Sequence, residues 1–273
     1  MSYINNKLVS IIIPTFNSST TLRECLRSIK NQTYKNIEII IVDKNSNDDT
    51  VQIAKEFGCR CFVLNFNERC DQVNYGLSNA VGSYLYRVDS DFILDNNIVK
   101  ECVSIIDDGF DAVCIHNTSD PSISIWSSIR KIERDCYYHD SVNVAARFFS
   151  SDVYGSVGGF DAKLIACEDY DFHEKIINHG YKIGYSTFQE IHIGEPRTLK
   201  EIAIKHYYYG KNIKNYIQKS PNSIKKLSPI RISLFKQYKK LIWPPRIFFG
   251  FVAYQTIRYS FAIIGLIVSM VKK

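Results

Sequence analysis

VSIIIPTFN at residues 9–17 and VDKNSNDDT at residues 42–50 share one pattern: a β-branched apolar run that breaks off into Pro, Thr, Asn, Asp and Ser. Between the runs at 9–13 and 37–42, Leu22, Cys25, Leu26 and Ile29 recur at helical spacing, so the segment reads as strand, helix, strand. Working outward, residues 48–57 read as a second helix, with acids at its start and Gly58 just past its end. Strands at 60–64, 84–88 and 112–115 then alternate with helices at 72–80 and 98–106. This alternation predicts an α/β fold with a mainly parallel, Rossmann-like sheet flanked by helices, whose ligand site lies beyond the carboxyl ends of the strands. Three polar clusters fall at three such ends: residues 14–17, Asp43, and Asp89-Ser90-Asp91. Further on, the pattern gives a helix at 129–137, a strand at 142–149, and a helix at 169–178 that starts on Glu168, Asp169 and Asp171 and closes at Gly180.

With 273 residues, 45% of them hydrophobic, the chain can bury one sizeable core, which favours one catalytic domain with an appendage. The net charge of +6 hides a division. Residues 196–273 carry 16 Lys and Arg against one acid, Glu201, while residues 1–195 hold 18 basic and 27 acidic residues. The eight cysteines include no C-x-x-C pair and read as reduced core thiols of a cytosolic protein, Cys167 among them. The polar start and the short apolar run at 8–13 predict no secretory signal. No G-x-G-x-x-G follows the first strand and no G-x-x-x-x-G-K-[ST] is present, which argues against a dehydrogenase and a P-loop NTPase.

Asp89-Ser90-Asp91 puts two carboxylates where a strand opens into a loop. Hard cations such as Mg²⁺ or Mn²⁺ take oxygen ligands, commonly one or two carboxylates plus diphosphate oxygens. The same string also suits a solvated turn that caps the next helix. Context separates the two. VSIIIPTFN, VDKNSNDDT and VDSDFIL (88–94), with Arg69, Asn74, Gly76, Ala80 and Gly82 between them, resemble the nucleotide-binding half of family 2 glycosyltransferases, which have the GT-A fold. The resemblance is close over residues 8–95. It implies that Pro14, Thr15, Asn17 and Asp43 line the pocket for the base and ribose of a nucleotide-sugar donor. It also implies that Arg69 and Asn74 lie near the nucleotide, that Asp89 and Ser90 contact ribose or metal, and that Asp91 is the main ligand of Mn²⁺ or Mg²⁺. The sequence departs from the family at Lys44-Asn45, where a second acid or a small residue and Gly are usual, so the base stays open, with UDP the default. Asp43 alone also suits an Asx turn.

Gly158-Gly159-Phe160-Asp161 followed by Glu168-Asp169-Tyr170-Asp171-Phe172 is similar to the acceptor-side signature of that family, in which the Asp after Glu is the catalytic base. An attacking hydroxyl must lose its proton, so Asp169 is the candidate, while acids in a first helical turn also complement the helix dipole. A polyprenyl phosphate acceptor, already anionic, would need no base. His192 resembles a position where family members place a histidine near metal or diphosphate, and imidazole suits Mn²⁺ better than Mg²⁺; a hydrogen-bonded structural histidine is the alternative.

Residues 199–218 read as a helix in which Lys205, Lys211 and Lys214 accompany Tyr207-Tyr208-Tyr209, and Lys225, Lys226, Arg231, Lys236, Lys239 and Lys240 follow. From 247 to 271 the strongly polar residues are Gln255 and Arg258 alone. Arg258 near the middle, with Gly250 and Gly265, favours a hairpin or interfacial helix lying on the membrane over one spanning it, with Lys and Arg on anionic headgroups. The apolar end argues against a nucleic-acid partner. The reading is then a catalytic domain at 1–197, with a nucleotide-binding half at 8–95 and an acceptor half at 96–197, and a helical, basic and apolar membrane-associated region at 198–273. The expected function is inverting transfer from a nucleotide sugar to a lipid-linked or glycan hydroxyl at the cytoplasmic face of the membrane. Transfer to a polyprenyl phosphate and a non-catalytic nucleotide-binding module are the alternatives.

Overall fold

The computed structural model describes residues 6–66, 68–138, 144–220, 223–228, 233–234 and 244–271. Arg231, Lys236, Lys239, Lys240 and the final two lysines of the basic region lie outside these residues, as do the side chain of Lys225 and positions 142–143 of the expected strand. The chain divides into two compact units. The first comprises Met1–His116, Ala145–Ala162 and Asp169–Ile191; the second comprises Asn117–Val144, Lys163–Glu168 and His192–Lys273. The division therefore falls differently from the single boundary at 197 in the sequence reading.

The alternating pattern of the sequence folds as β1 (Val9–Thr15), α1 (Ser19–Lys30), β2 (Ile37–Asp43), α2 (Thr50–Glu56), β3 (Arg60–Val63), α3 (Arg69–Ser78) and β4 (Tyr84–Arg87). A short β5 (Phe92–Leu94), α4 (Ile98–Asp107), β6 (Ala112–Ser119), β7 (Ala146–Ser150), α6 (Ser151–Val157), α7 (Glu168–Asn178) and β8 (Ile183–His192) follow, with α5 (Ile125–Asp135) between β6 and β7. The strands form one sheet in the order β3-β2-β1-β4-β7-β6-β8-β5. β3, β2, β1 and β4 run parallel, and β7 is antiparallel to both β4 and β6.

β1 is buried along its whole length, as a central parallel strand must be, and its β-branched run serves both faces. On α1, Leu22, Cys25, Leu26 and Ile29 are buried at the spacing seen in the sequence. Gly76 explains itself by space: a Cβ there would stand 2.5 Å from Ile12 Cγ2 and 2.9 Å from Val42 Cγ2, so only glycine lets α3 approach β1 and β2 so closely. The chain goes from β1 to β2 and β3 on one side and returns to β4 on the other, so the direction of winding reverses at β1 and β4. In sheets wound this way ligands bind outside the carboxyl ends of the strands at the switch point.

In the second unit, α8 (Leu199–Asn212), α9 (Lys214–Lys219), α10 (Ser223–Leu227) and α11 (Pro245–Val271) follow β8. The expected helix over 199–218 is thus interrupted at Ile213. The expected hairpin is overturned, because residues 245–271 form one unbroken 27-residue helix. Its two glycines are contact points rather than turns: a Cβ at Gly250 would lie 2.5 Å from Ile129 Cδ1, and one at Gly265 would lie 2.3 Å from the Tyr207 carbonyl oxygen.

Candidate functional site

β1 and β2 pair in register from Val9 with Ile37 to Thr15 with Asp43, so Thr15 and Asp43 end side by side. Asp43 is fully buried, and its Oδ2 accepts from Thr15 Oγ1 at 2.7 Å and from Ser46 Oγ at 2.7 Å. Its Oδ1 accepts from the Ser46 backbone N–H at 2.7 Å, an Asx turn that closes the loop after β2. Asn17 and Asn45 hold left-handed backbone, φ 48° and 56°, the conformation Asn tolerates best after Gly. The Asn17 side chain caps the Asn47 N–H at 3.0 Å, and the Asn17 N–H donates to Ser46 Oγ at 2.8 Å, so the loops after β1 and β2 are sewn together. Asp48 joins in: against some desolvation, hydrogen bonds from Thr50 and Ser19 hold its carboxyl down at about 2.

Pro14 sits inside β1 opposite Val42, buried and without an N–H. The buried amide of Gln72 on α3 supplies donors here, giving hydrogen bonds to the carbonyls of Thr15 at 2.8 Å and Val42 at 2.7 Å. Neither Gln72 nor the half-exposed ring of Phe16, over which the Lys44 ammonium lies at 5.8 Å, belonged to the expected site. A polar residue on the buried face of α3 was the available signal for Gln72.

At the end of β4 three guanidinium groups converge on Asp89. Its Oδ1 accepts from Arg69 at 3.1 Å and Arg87 at 3.3 Å, and its Oδ2 from Arg147 at 3.1 Å. Against the cost of burial, Arg87, Arg69 and Arg147 hold this carboxyl well below the usual carboxylate range. Arg147 on β7 also pairs with Glu190 on β8 at 3.2 Å and lies over the Phe92 ring at 4.8 Å. Glu190 is fully buried and accepts from the Tyr86 hydroxyl at 2.7 Å. Burial raises its pKa despite Arg147 and that hydroxyl. Arg69 is the exposed member of the trio, set in the first turn of α3 by reciprocal capping between Glu68 and Asp71. Asp91 and Ser90 are partly exposed just beyond the cluster, and Ser90 Oγ donates to Ser18 Oγ at 3.0 Å.

The Asn74 amide is engaged in both directions by Phe160: its Nδ2 donates to the carbonyl at 2.8 Å, and its Oδ1 accepts from the N–H at 3.0 Å. It thereby fastens the Gly159-Phe160 turn, where Gly159 has φ 69°, onto α3. Asp169 is partly exposed in the first turn of α7, with Oδ1 accepting from the Tyr170 N–H at 2.9 Å. In the second unit, the His192 ring nitrogen Nδ1 lies 3.0 Å from Glu195, whose carboxylate also meets Arg134 at 2.9 Å and Ser119 Oγ at 2.7 Å. Against burial, His192 and Arg134 lower the pKa of Glu195.

For a metal ion, the described residues gather no group of three or more His, Cys, Asp and Glu. A pair of carboxylates at a strand end fits a hard cation that completes its shell with ligand oxygens and water, and does not fit a resident ion held by protein alone.

An uncharacterized glycosyltransferase of Rickettsia typhi is 31% identical over 186 residues, a match covering 62% of this chain and 58% of that one. The chain therefore spans little more than half the length of that relative. A mannosyltransferase from Pyrobaculum calidifontis, solved in complex with GDP-Man and Mn²⁺, superimposes with a TM-score of 0.63 at 16% identity, covering 98% of this chain and 88% of that one. TarS of S. aureus in complex with UDP-GlcNAc gives a TM-score of 0.55 at 16% identity, covering 93% and 91%. These likenesses carry the fold, which is that of GT-A glycosyltransferases. The model of glycosyl transferase family 2 matches residues 10–148, about half of the chain, and the chain belongs to that family.

Proposed function

We propose that this chain is an inverting glycosyltransferase that moves a sugar from a nucleoside-diphosphate sugar, UDP favoured, to a hydroxyl of a lipid-linked or glycan acceptor. The observation that carries the reading is the convergence of Thr15, Asp43 and the arginine-bound Asp89 at neighbouring strand ends, with Asp91 just beyond. Asp43, already oriented by Thr15 and Ser46, serves the base and ribose. The exposed ring of Phe16 offers an apolar face beside it. Arg69, exposed and anchored by its helix turn, meets the diphosphate.

Mn²⁺ or Mg²⁺ would be held by Asp91, with Asp89 as a further candidate. When bound, such an ion neutralises charge on the departing diphosphate. Asp169 accepts the proton of the attacking hydroxyl as its oxygen bonds to the anomeric carbon. The bond from that carbon to the diphosphate oxygen breaks with its electron pair leaving on the nucleotide, and one in-line displacement inverts the centre. A polyprenyl phosphate acceptor would make Asp169 dispensable. We place the enzyme on the cytoplasmic face of a membrane, supported by the basic final 78 residues and the long apolar helix α11.

The test is turnover and binding across UDP-, GDP- and dTDP-sugars with Mn²⁺, Mg²⁺ or EDTA. Metal-dependent turnover of one donor, abolished by Asp91→Ala, is expected. No metal-dependent signal with any donor would leave a non-catalytic nucleotide-binding module.

A further inference from the structure

Helix α11 is long and apolar enough to cross a bilayer. Its neighbours in the second unit say otherwise. A Cβ at Gly210 would stand 2.0 Å from the Ala262 carbonyl oxygen, so α8 and α11 touch backbone to backbone. On another side, Ile247 and Tyr254 of α11 are buried in one cluster with Ile129 of α5 and Ile202 of α8. Arg258, the fourteenth of the 27 residues, reaches Glu133 of α5 at 3.0 Å. Glu133 is almost fully buried and also accepts from Tyr137 at 2.9 Å and Gln255 at 3.3 Å, and it pairs with Arg130.

Were α11 to span, the midpoint of the bilayer would hold this whole cluster, and α5 would carry Lys131, Arg134 and Asp135 into hydrocarbon, which is prohibitively costly. The remaining surface of α11 is apolar and open: Phe249, Ile263, Ile264, Ile267 and Met270 are exposed, joined by Ile204 of α8. An apolar groove of about 570 Å³ between the two helices, floored by Ala203, Tyr207, Ile257 and Phe261, has Lys200 at its rim.

We infer that α8 and α11 form one two-helix wedge that lies in the plane of a single leaflet of an anionic bilayer. Arg258 and Glu133 latch the wedge to α5, so the chain enters and leaves the membrane on the same side. The occupant is a lipid leaflet because the exposed face is continuous over two helices and is accompanied by Lys200, Lys205, Lys211 and Lys214 on α8 and α9, in a region with 16 cations and one acid. The inference rests on the membrane part of the proposed function and not on its chemistry: a chain that turns over donor yet ignores vesicles would sink the wedge and leave the transferase standing.

The experiment uses the full chain with a protease-cleavable tag after Lys273 and sealed vesicles of phosphatidylcholine with or without phosphatidylglycerol. Expected are flotation with the anionic vesicles, complete cleavage of the tag by protease added outside, and a roughly 100-fold weaker partition for the Ile263→Asp, Ile267→Asp variant at unchanged Tm, since two aliphatic side chains no longer transfer to lipid. A protected tag would establish spanning and overturn the inference. Equal binding by the variant would overturn it as well, as would an apolar face that closes on a second copy, seen as a dimer lost in the variant without any vesicle binding.

Discussion

Replacing Arg147 with methionine tests whether the strand-end cluster is a closed charge system. The substitution keeps most of the apolar stem and removes the guanidinium that joins Asp89, 3.1 Å away, to Glu190, 3.2 Å away. Asp89 retains Arg87 and Arg69, while Glu190 keeps the Tyr86 hydroxyl and the attraction of Arg87 but loses Arg147, the largest opposing charge on it. An ionised carboxylate left so is costly by about 3–5 kcal/mol, and taking up a proton is the escape. From the ordinary glutamate value of 4.5, protonation at pH 7 costs about 3.4 kcal/mol, and at pH 6 about 2 kcal/mol, at 1.36 kcal/mol per pH unit. Here the folded pKa lies above the unfolded one, the native state binds the extra proton, and stability falls as pH rises from 4.5 towards the folded value. Urea unfolding of Arg147→Met against the double variant Arg147→Met, Glu190→Gln, in which position 190 carries no charge, should therefore show a gap that grows by about 1.4 kcal/mol per pH unit. A gap independent of pH between 5.5 and 7 would refute the argument, because it would mean that solvent reaches Glu190 and the cluster is not closed.

Three further outcomes follow from the same geometry. Asp169→Asn lowers kcat by about 10²–10⁴ with the donor KM unchanged if the acceptor is a hydroxyl, and leaves kcat intact if it is a phosphate; steady-state kinetics with each acceptor class decides. Thr15→Val removes one of the donors to the buried Asp43 carboxylate while Ser46 keeps two others, so thermal unfolding should report a loss of about 1 kcal/mol and calorimetry a weaker nucleotide affinity. Because the described residues gather no three-ligand cluster, Mn²⁺ alone should leave the Tm unchanged, and Mn²⁺ with the correct nucleoside diphosphate should raise it.

What the sequence made legible was whatever local periodicity writes. Val9 to Ile13, the Leu22 to Ile29 stripe and the β-branched run of β2 announced a mainly parallel sheet flanked by helices, because each is specified by neighbours close in the chain. β5, three residues long, and α6, a seven-residue helix opened by Ser150, carry too few repeats to be read by period. The charge cluster was hidden for a different reason. Arg87, Arg147 and Glu190 lie on three strands and meet only through the antiparallel pairing of β4 with β7 and the sheet order beyond it. The available signal was a lone charge among aromatics in YLYR and ARFF, since a buried charge requires a partner. Arg258 misled in one respect: it left room for a hairpin, and its partner Glu133, 125 residues away, lets the helix run unbroken.

Asp89 is surrounded by three guanidinium groups, so its charge is already neutralised before any ligand arrives and its oxygens are aimed by arginines on α3, β4 and β7. Asp91, two residues further on, is partly exposed. In the proposed reaction the two carboxylates take separate tasks. Asp89 supplies position, and any donor group that binds there must compete with Arg69, the exposed arginine of the three. In the proposed reaction Arg69 meets the diphosphate, so that arrival of the nucleotide brings a positive charge to its leaving group. In the proposed reaction a cation held through Asp91 would complete its shell with diphosphate oxygens, which would tie its occupancy to the presence of the same diphosphate.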